Sequence, residues 1–192
     1  MRYLVPMHLT DAIEQRRTIK RFTERPVTRE QMESLLASAT MPPNHRLTQP
    51  WRFHVLGPEA RYAYGLALGN RKAKKLEDPA AAQSLREAVA TEHRALPAML
   101  VVAMTTSDNA EIREEDYAAT MMGIANLGLV AVELGLGTAI RTGAVMDDPA
   151  ARAAAGVPDG QRIIAIVNVG EPADVPPAKQ REASSTFTTW LP

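Results

Sequence analysis

Cysteine is missing from this chain altogether. Its absence excludes disulfide staples, thiolate metal sites, iron–sulfur clusters and a cysteine nucleophile, and it is compatible with a reducing compartment. Net charge is missing as well. Lys and Arg number 22 and so do Asp and Glu, so no global basic field exists to hold nucleic acid or an anionic membrane. Any bound anion must be captured by a local cluster. Long apolar runs are also lacking. The most apolar segment, Met121 to Leu134, carries Asn126 and Glu133 and falls short of the roughly 20 residues that span a bilayer. Met1 to Thr10 has one Arg and no continuous apolar stretch, which predicts no signal peptide. There is no P-loop and no G-x-S-x-G elbow, and His8, His45, His54 and His93 show no metal-ligand spacing. The expectation is a soluble, cytoplasmic protein that binds neither metal, nucleic acid nor membrane.

The chain does have enough apolar residues, 45% of 192, to bury a sizeable core, and its length predicts one domain over 1–192. Thr10 can cap a first helix ending near Arg16. Thr28 and Gln31 form a capping box ahead of Met32, Leu35, Leu36 and Ala39, a helical face stopped by Pro42-Pro43. Trp51 to Leu56 alternates as a half-buried strand, with Trp51 in the core. Gly57-Pro58 opens a third helix closed by Gly69, and Asp78-Pro79 a fourth that runs to about Ala95. Ala98 to Met104 reads as a central strand. Glu114, Glu115 and Asp116 suit a helix N-terminus. The helix that follows, Tyr117 to Leu134, is apolar almost all round and therefore buried as a hub or a subunit interface. Gly135 ends it. A short strand over Thr138–Ala144, a small helix from Asp148-Pro149 to Gly156 and a strand over Arg162–Val169 complete the pattern. Helices and strands mix without regular alternation, which predicts an α+β fold. From Glu171 to Pro192 the composition cannot bury a core, yet Phe187, Trp190 and Leu191 predict an arm docked on its own subunit or on a partner.

Three segments have the chemistry to bind a ligand. Arg16-Arg17-Thr18-Ile19-Lys20 sets three cations and a hydroxyl at a helix exit, where guanidinium groups can hold a phosphate and a hydroxyl can read a heterocycle edge. Short runs of this kind are more often simply solvated. Pro43 to Trp51 is a polar loop framed by prolines, a frequent form of ligand site. Gly135 to Gly143 fails as a dinucleotide fingerprint, because the third glycine is missing and the run follows a helix. It still offers a backbone that a flat ligand can approach closely. Arg141 within it is either buried against an anion or exposed at a strand end, and the residues alone leave both open.

In order, these pieces resemble the nitroreductase family. Its R-[RH]-S-x-[KR] helix exit is matched by Arg16, Arg17, Thr18 and Lys20, with Thr replacing Ser. Its A-P-x…Q-P-W-x-F stretch is matched by Pro43, Gln49, Pro50, Trp51 and Phe53, and its G-[LF]-G by Gly135 to Gly137. G-x-P and K-x-R follow as Gly170-Glu171-Pro172 and Lys179/Arg181. The resemblance implies an α+β homodimer with a small mixed or antiparallel sheet flanked by helices. It also implies a long buried central helix, an exchanged C-terminal arm and FMN between the subunits. By motif position, Arg16, Arg17 and Thr18 would contact the phosphate, ribityl chain and pyrimidine edge. Lys20 would sit near N1 and C2=O, where a cation favours the reduced flavin. Asn44, His45 and Leu47 would approach from the partner subunit. Ala139, Ile140, Arg141 and Thr142 would line the flavin, with either Arg141 or Lys179 and Arg181 at its phosphate. Leu47 stands where many members have Asn, and His45-Arg46 resembles a compact subgroup. The implied activity is ping-pong hydride transfer from NAD(P)H to a nitroaromatic, quinone or similar small acceptor, with no catalytic side chain of the protein itself. The alternatives are a same-fold flavoenzyme acting as a dehalogenase, dehydrogenase or flavin-fragmenting enzyme, and a non-catalytic flavin-binding protein.

Overall fold

The computed structural model describes residues 7–192; Met1 to Pro6, part of the stretch expected to lack a signal peptide, lie outside the described residues. The two central strands are mostly apolar and are buried on both faces. These are β2 (Ala98–Thr105) and β4 (Gln161–Gly170), which pair antiparallel with a register shift between Val102 and Ala103. β1 (Trp51–Val55) and β3 (Gly137–Arg141) add antiparallel at the two edges, giving the order β1-β2-β4-β3. The expected α+β class is observed.

Alternation along the strands directs side chains to two cores. Leu100, Val102, Met104, Val167 and Val169 face α2 (Arg29–Ala39) and α5 (Ala110–Glu133). Met99, Val101, Ala103, Ile163 and Ile166 face α3 (Pro58–Ala73) and α6 (Pro149–Ala154). Antiparallel to α3 lies α4 (Pro79–Ala95), close-packed because Gly65 and Gly69 leave room for its backbone at Ala90 and Arg86. This packing explains why α3 runs past Gly69, which sequence reading takes as its end: the glycine serves a helix–helix contact.

Caps set most of the boundaries. The Thr28–Gln31 capping box is present, and Asp78, Asn109 and Asp148 each accept backbone N–H groups at the start of α4, α5 and α6. α1 (Leu9–Gln15) departs from expectation, since His8 occupies the cap position without a side-chain bond and Thr10 lies inside the helix. α2 ends at Ala39, before the prolines reach it. Gly135, at φ 70°, ends α5 as expected. The acidic trio Glu114–Asp116 sits beyond the first turn of α5, whose acidic residue is Glu111. Trp51 is only half-buried, at an edge of the sheet.

The chain after β4 leaves the body quickly. Phe22 bridges Pro172, Arg21 accepts from Ala173 N–H and pairs with Asp174 at 3.0 Å, and then contact fades. Every residue from Ala173 to Pro192 is exposed, with Phe187 at 77% and Trp190 at 89%. An arm docked along its own subunit, one of the two expected arrangements, is therefore not what these residues adopt. No described helix is long and apolar enough to cross a membrane.

Candidate active site

The exit of α1 becomes an extended segment laid against β3. Thr18 bridges Thr138 in parallel, and Ile19 N–H donates to the Thr138 carbonyl at 2.9 Å. Ile19 is buried and fills the place a side chain at Gly137 would take, since a Cβ there would lie 2.3 Å from Ile19 Cγ1. Within the Gly135–Gly143 run, where a flat ligand is expected to approach, the close approach at Gly137 is made by the protein's own Ile19. With Ile19 turned inward, period-two alternation turns Thr18 and Lys20 outward, and both are exposed.

Around this segment lies an open cleft of about 370 Å³, lined by Arg16, Arg17, Gly128, Val132, Leu136 and Thr138 among others. Arg16 lies over α5 at Gly128, where a Cβ would come within 3.4 Å of its Cδ. The Arg17 guanidinium donates through Nη1 to the carbonyls of Glu14 and Arg16, while its Nε is buried with no partner. Neither arginine pairs with a carboxylate among the described residues. Two cations, an unanswered buried N–H and the Thr138 hydroxyl in one groove form a surface that lacks an anion.

The remaining expected residues divide into three places. On β3, Thr138 and Ile140 face α5, whereas Ala139 and Arg141 face the opposite side, where the Arg141 charge is felt by buried His93. Arg141 is exposed, and Thr142 is exposed beyond it. In this chain Arg141 is therefore turned away from the arginine cleft, because one residue of strand reverses the face. Lys179 and Arg181 are exposed on the arm, beyond Val175, which is the last arm residue lining the cleft.

Asn44, His45 and Leu47 are elsewhere. Their loop is fastened to the first turns of α5: His45 Nδ1 is 2.8 Å from Glu115, and Arg46 reaches Glu115 and Glu111 at 3.2 Å each. Through these contacts the Glu115 carboxyl is held below its ordinary range, chiefly by the His45 hydrogen bond. Glu115 and Gly128 are separated by about 20 Å of helix, at roughly 1.5 Å per residue. One chain thus has a cationic cleft at one end of α5 and a polar loop at the other. Leu47 and Gln49 in that loop are left-handed, at φ 49° and 45°, a conformation that costs each roughly 1–2 kcal/mol. Leu47 is nevertheless 77% exposed.

Sequence reading missed the partners of this loop. Asp116, only 4% exposed, accepts a hydrogen bond from the Thr48 hydroxyl. The carboxylates were visible as a helix-start signal, but nothing local links them to a loop about 70 residues upstream.

A family model described as the Nitroreductase family matches residues 13–171. The chain belongs to the nitroreductase family. YfhC of Bacillus subtilis (strain 168), an NAD(P)H nitroreductase by name, is 33% identical over 173 residues, 90% of this chain and 89% of that protein. A solved nitroreductase-like family protein from Bacillus cereus superposes with a TM-score of 0.83 at 28% identity, covering 97% of each chain. The FMN and NADPH-dependent nitroreductase NfnB from sphigopyxis sp. strain HMH shares the fold, with a TM-score of 0.75 at 20% identity over 97% of this chain and 100% of that one. The architecture described above is thus the nitroreductase-like fold, and the activity of this family member is that of an oxidoreductase.

Proposed function

We propose that this nitroreductase-family protein is a cytoplasmic homodimer that binds FMN and uses NAD(P)H to reduce nitroaromatics, quinones or related small acceptors. The observation that carries the reading is the cleft at the α1 exit, where Arg16, Arg17 and Thr138 converge with no counter-anion and a buried Arg17 Nε lacks a partner. A phosphate-bearing planar cofactor supplies both things this groove lacks. FMN and NADPH dependence is what the fold neighbour NfnB is named for, and NAD(P)H use is what YfhC is named for.

In this reading Arg16 and Arg17 hold the phosphate by charge-assisted hydrogen bonds, and the outward Thr18 hydroxyl and Lys20 ammonium meet the polar edge of the ring system. Lys179 and Arg181, four and six residues past Val175, are within roughly 13–20 Å of extended chain and can close over the phosphate. They take the role that Arg141 is turned away from. Asn44, His45 and Leu47 lie too far along α5 to serve their own chain's cleft, so a second copy delivers them. FMN held in the cleft by Arg16 and Arg17 would supply the redox chemistry, hydride transfer between NAD(P)H and an acceptor in ping-pong order. The protein's part is to bind, orient and exclude water, and no side chain need act as nucleophile or general base.

The decisive experiment is the absorption spectrum of purified protein, followed by chromatography of the cofactor released by heat. Flavin bands and FMN at about one per chain are expected. A colourless protein that gains no signal when FMN is added refutes the cleft assignment. Anaerobic NADPH oxidation with menadione or nitrofurazone then separates a reductase from a same-fold enzyme of other chemistry.

A further inference from the structure

We propose that Asp116 is a positioning residue that holds the 44–49 loop in its strained form, so that Leu47 is presented as an apolar contact to the cofactor and acceptor of a second copy. The inference rests on the reading above, in which that loop serves the partner's cleft.

The loop is held by a chain of hydrogen bonds with a definite direction. Asp116 is buried, and its side-chain oxygen accepts a hydrogen bond from the Thr48 hydroxyl. The Thr48 oxygen is thereby left as an acceptor, and Asn44 Nδ2 donates to it at 3.0 Å. That fixes which way the Asn44 amide points, and its Oδ1 accepts Gln49 N–H at 2.8 Å. The chain ends on the backbone of Gln49, one of the two left-handed residues, and brackets Leu47, the other. Bonds linked in this way strengthen one another, and the Gln49 N–H, which can only donate, sets the same direction from the other end. The outer ties, from His45 and Arg46 to Glu115 and Glu111, lie at the surface, where contacts between polar and charged groups individually contribute little. Asp116 is therefore the interior anchor.

What the anchor maintains serves no purpose inside this chain. Leu47 packs on no core, stands out into solvent and occupies a backbone region that leucine disfavours. Strain kept in place by a dedicated network points to a surface used elsewhere. An apolar tip suits a planar aromatic ring system more than a sugar or a charged acceptor.

The test uses full-length Asp116→Ala, Asp116→Asn and Thr48→Val. One readout is trypsin cleavage after Arg46, identified by fragment mass, which needs no flavin. The other is the visible spectrum of bound FMN with the KM and kcat for menadione. Asp116→Ala and Thr48→Val are expected to speed cleavage by roughly tenfold or more and to raise KM severalfold with kcat little changed. Asp116→Asn, whose carbonyl still accepts from Thr48, should restore both. Cleavage unchanged in Asp116→Ala overturns the proposal whatever the flavin does. Faster cleavage with unaltered spectrum and kinetics also overturns it, because the loop would then be ordered by Asp116 without touching the ligand. Protein that never binds FMN fails the functional reading instead, and the cleavage arm still decides whether Asp116 anchors the loop.

Discussion

Single side chains carry the cleft's affinity. Replacing Arg16 with Ala should weaken FMN binding by about 1.5–3 kcal/mol, the worth of a hydrogen bond to a charged group. Fluorescence titration reads this directly, and an unchanged affinity would remove Arg16 from the phosphate. A different residue governs alkaline behaviour. Tyr64 is buried, its hydroxyl has no partner, and burial with the nearby Asp148 charge raises its pKa from 10.0 to about 12. The folded state thus prefers the neutral phenol. The stability this contributes is complete below pH 10 and disappears as pH climbs through 12. Tyr64→Phe should flatten that alkaline limb. At neutral pH it should leave the protein within about 1 kcal/mol of wild type or more stable, because an unanswered hydroxyl is removed. Denaturant midpoints measured from pH 7 to 11 check both.

At the level of helices and strands, close approach is the main constraint. α2 crosses α5 at Gly123, where a Cβ would lie 2.3 Å from the Ala39 carbonyl oxygen. Gly123→Ala should therefore destabilise by about 1–3 kcal/mol despite the better helix propensity of alanine, since the obstacle is backbone. An unshifted urea midpoint would mean that the two helices part freely. Elements with a local signal were legible in the residues: the capping box of α2, the Asp-Pro starts of α4 and α6, the continuous apolar run of β2 and the glycine stop of α5. Elements decided by a distant neighbour were not. Gly69 reads as a terminator until α4 is seen lying against it, and the Gly135–Gly143 run reads as open to a flat ligand until Ile19 is seen filling the space at Gly137. The candidate site followed the same rule. Arg16 and Arg17, which line the cleft, stand out in their own run, whereas the opposite facing of Arg141 and the anchoring of the 44–49 loop by Asp116 depend on strand register and helix packing.

For the molecule as a whole, the arm is the unresolved surplus of apolar surface. Phe187, Trp190 and Leu191 are 77%, 89% and 84% exposed, a state that water penalises by about 25 cal/mol per Å² of apolar area. Contacts with its own body end near Val175. In the proposed dimer, a chain truncated there should keep its fold but separate into monomers, seen by light scattering as half the mass. A dimer of undiminished stability would show that the arm is dispensable to assembly.

The separation of cleft and loop along α5 has a genetic consequence. In the proposed dimer, a chain weakened at Arg16 and a chain weakened at Asp116 each form two impaired centres, yet mixed subunits would place the sound cleft of one opposite the sound loop of the other. Such hybrids should regain one fully working centre and leave the other doubly impaired, so two weakened alleles would partly complement in a single cell. The same two lesions carried on one chain would never be rescued by each other.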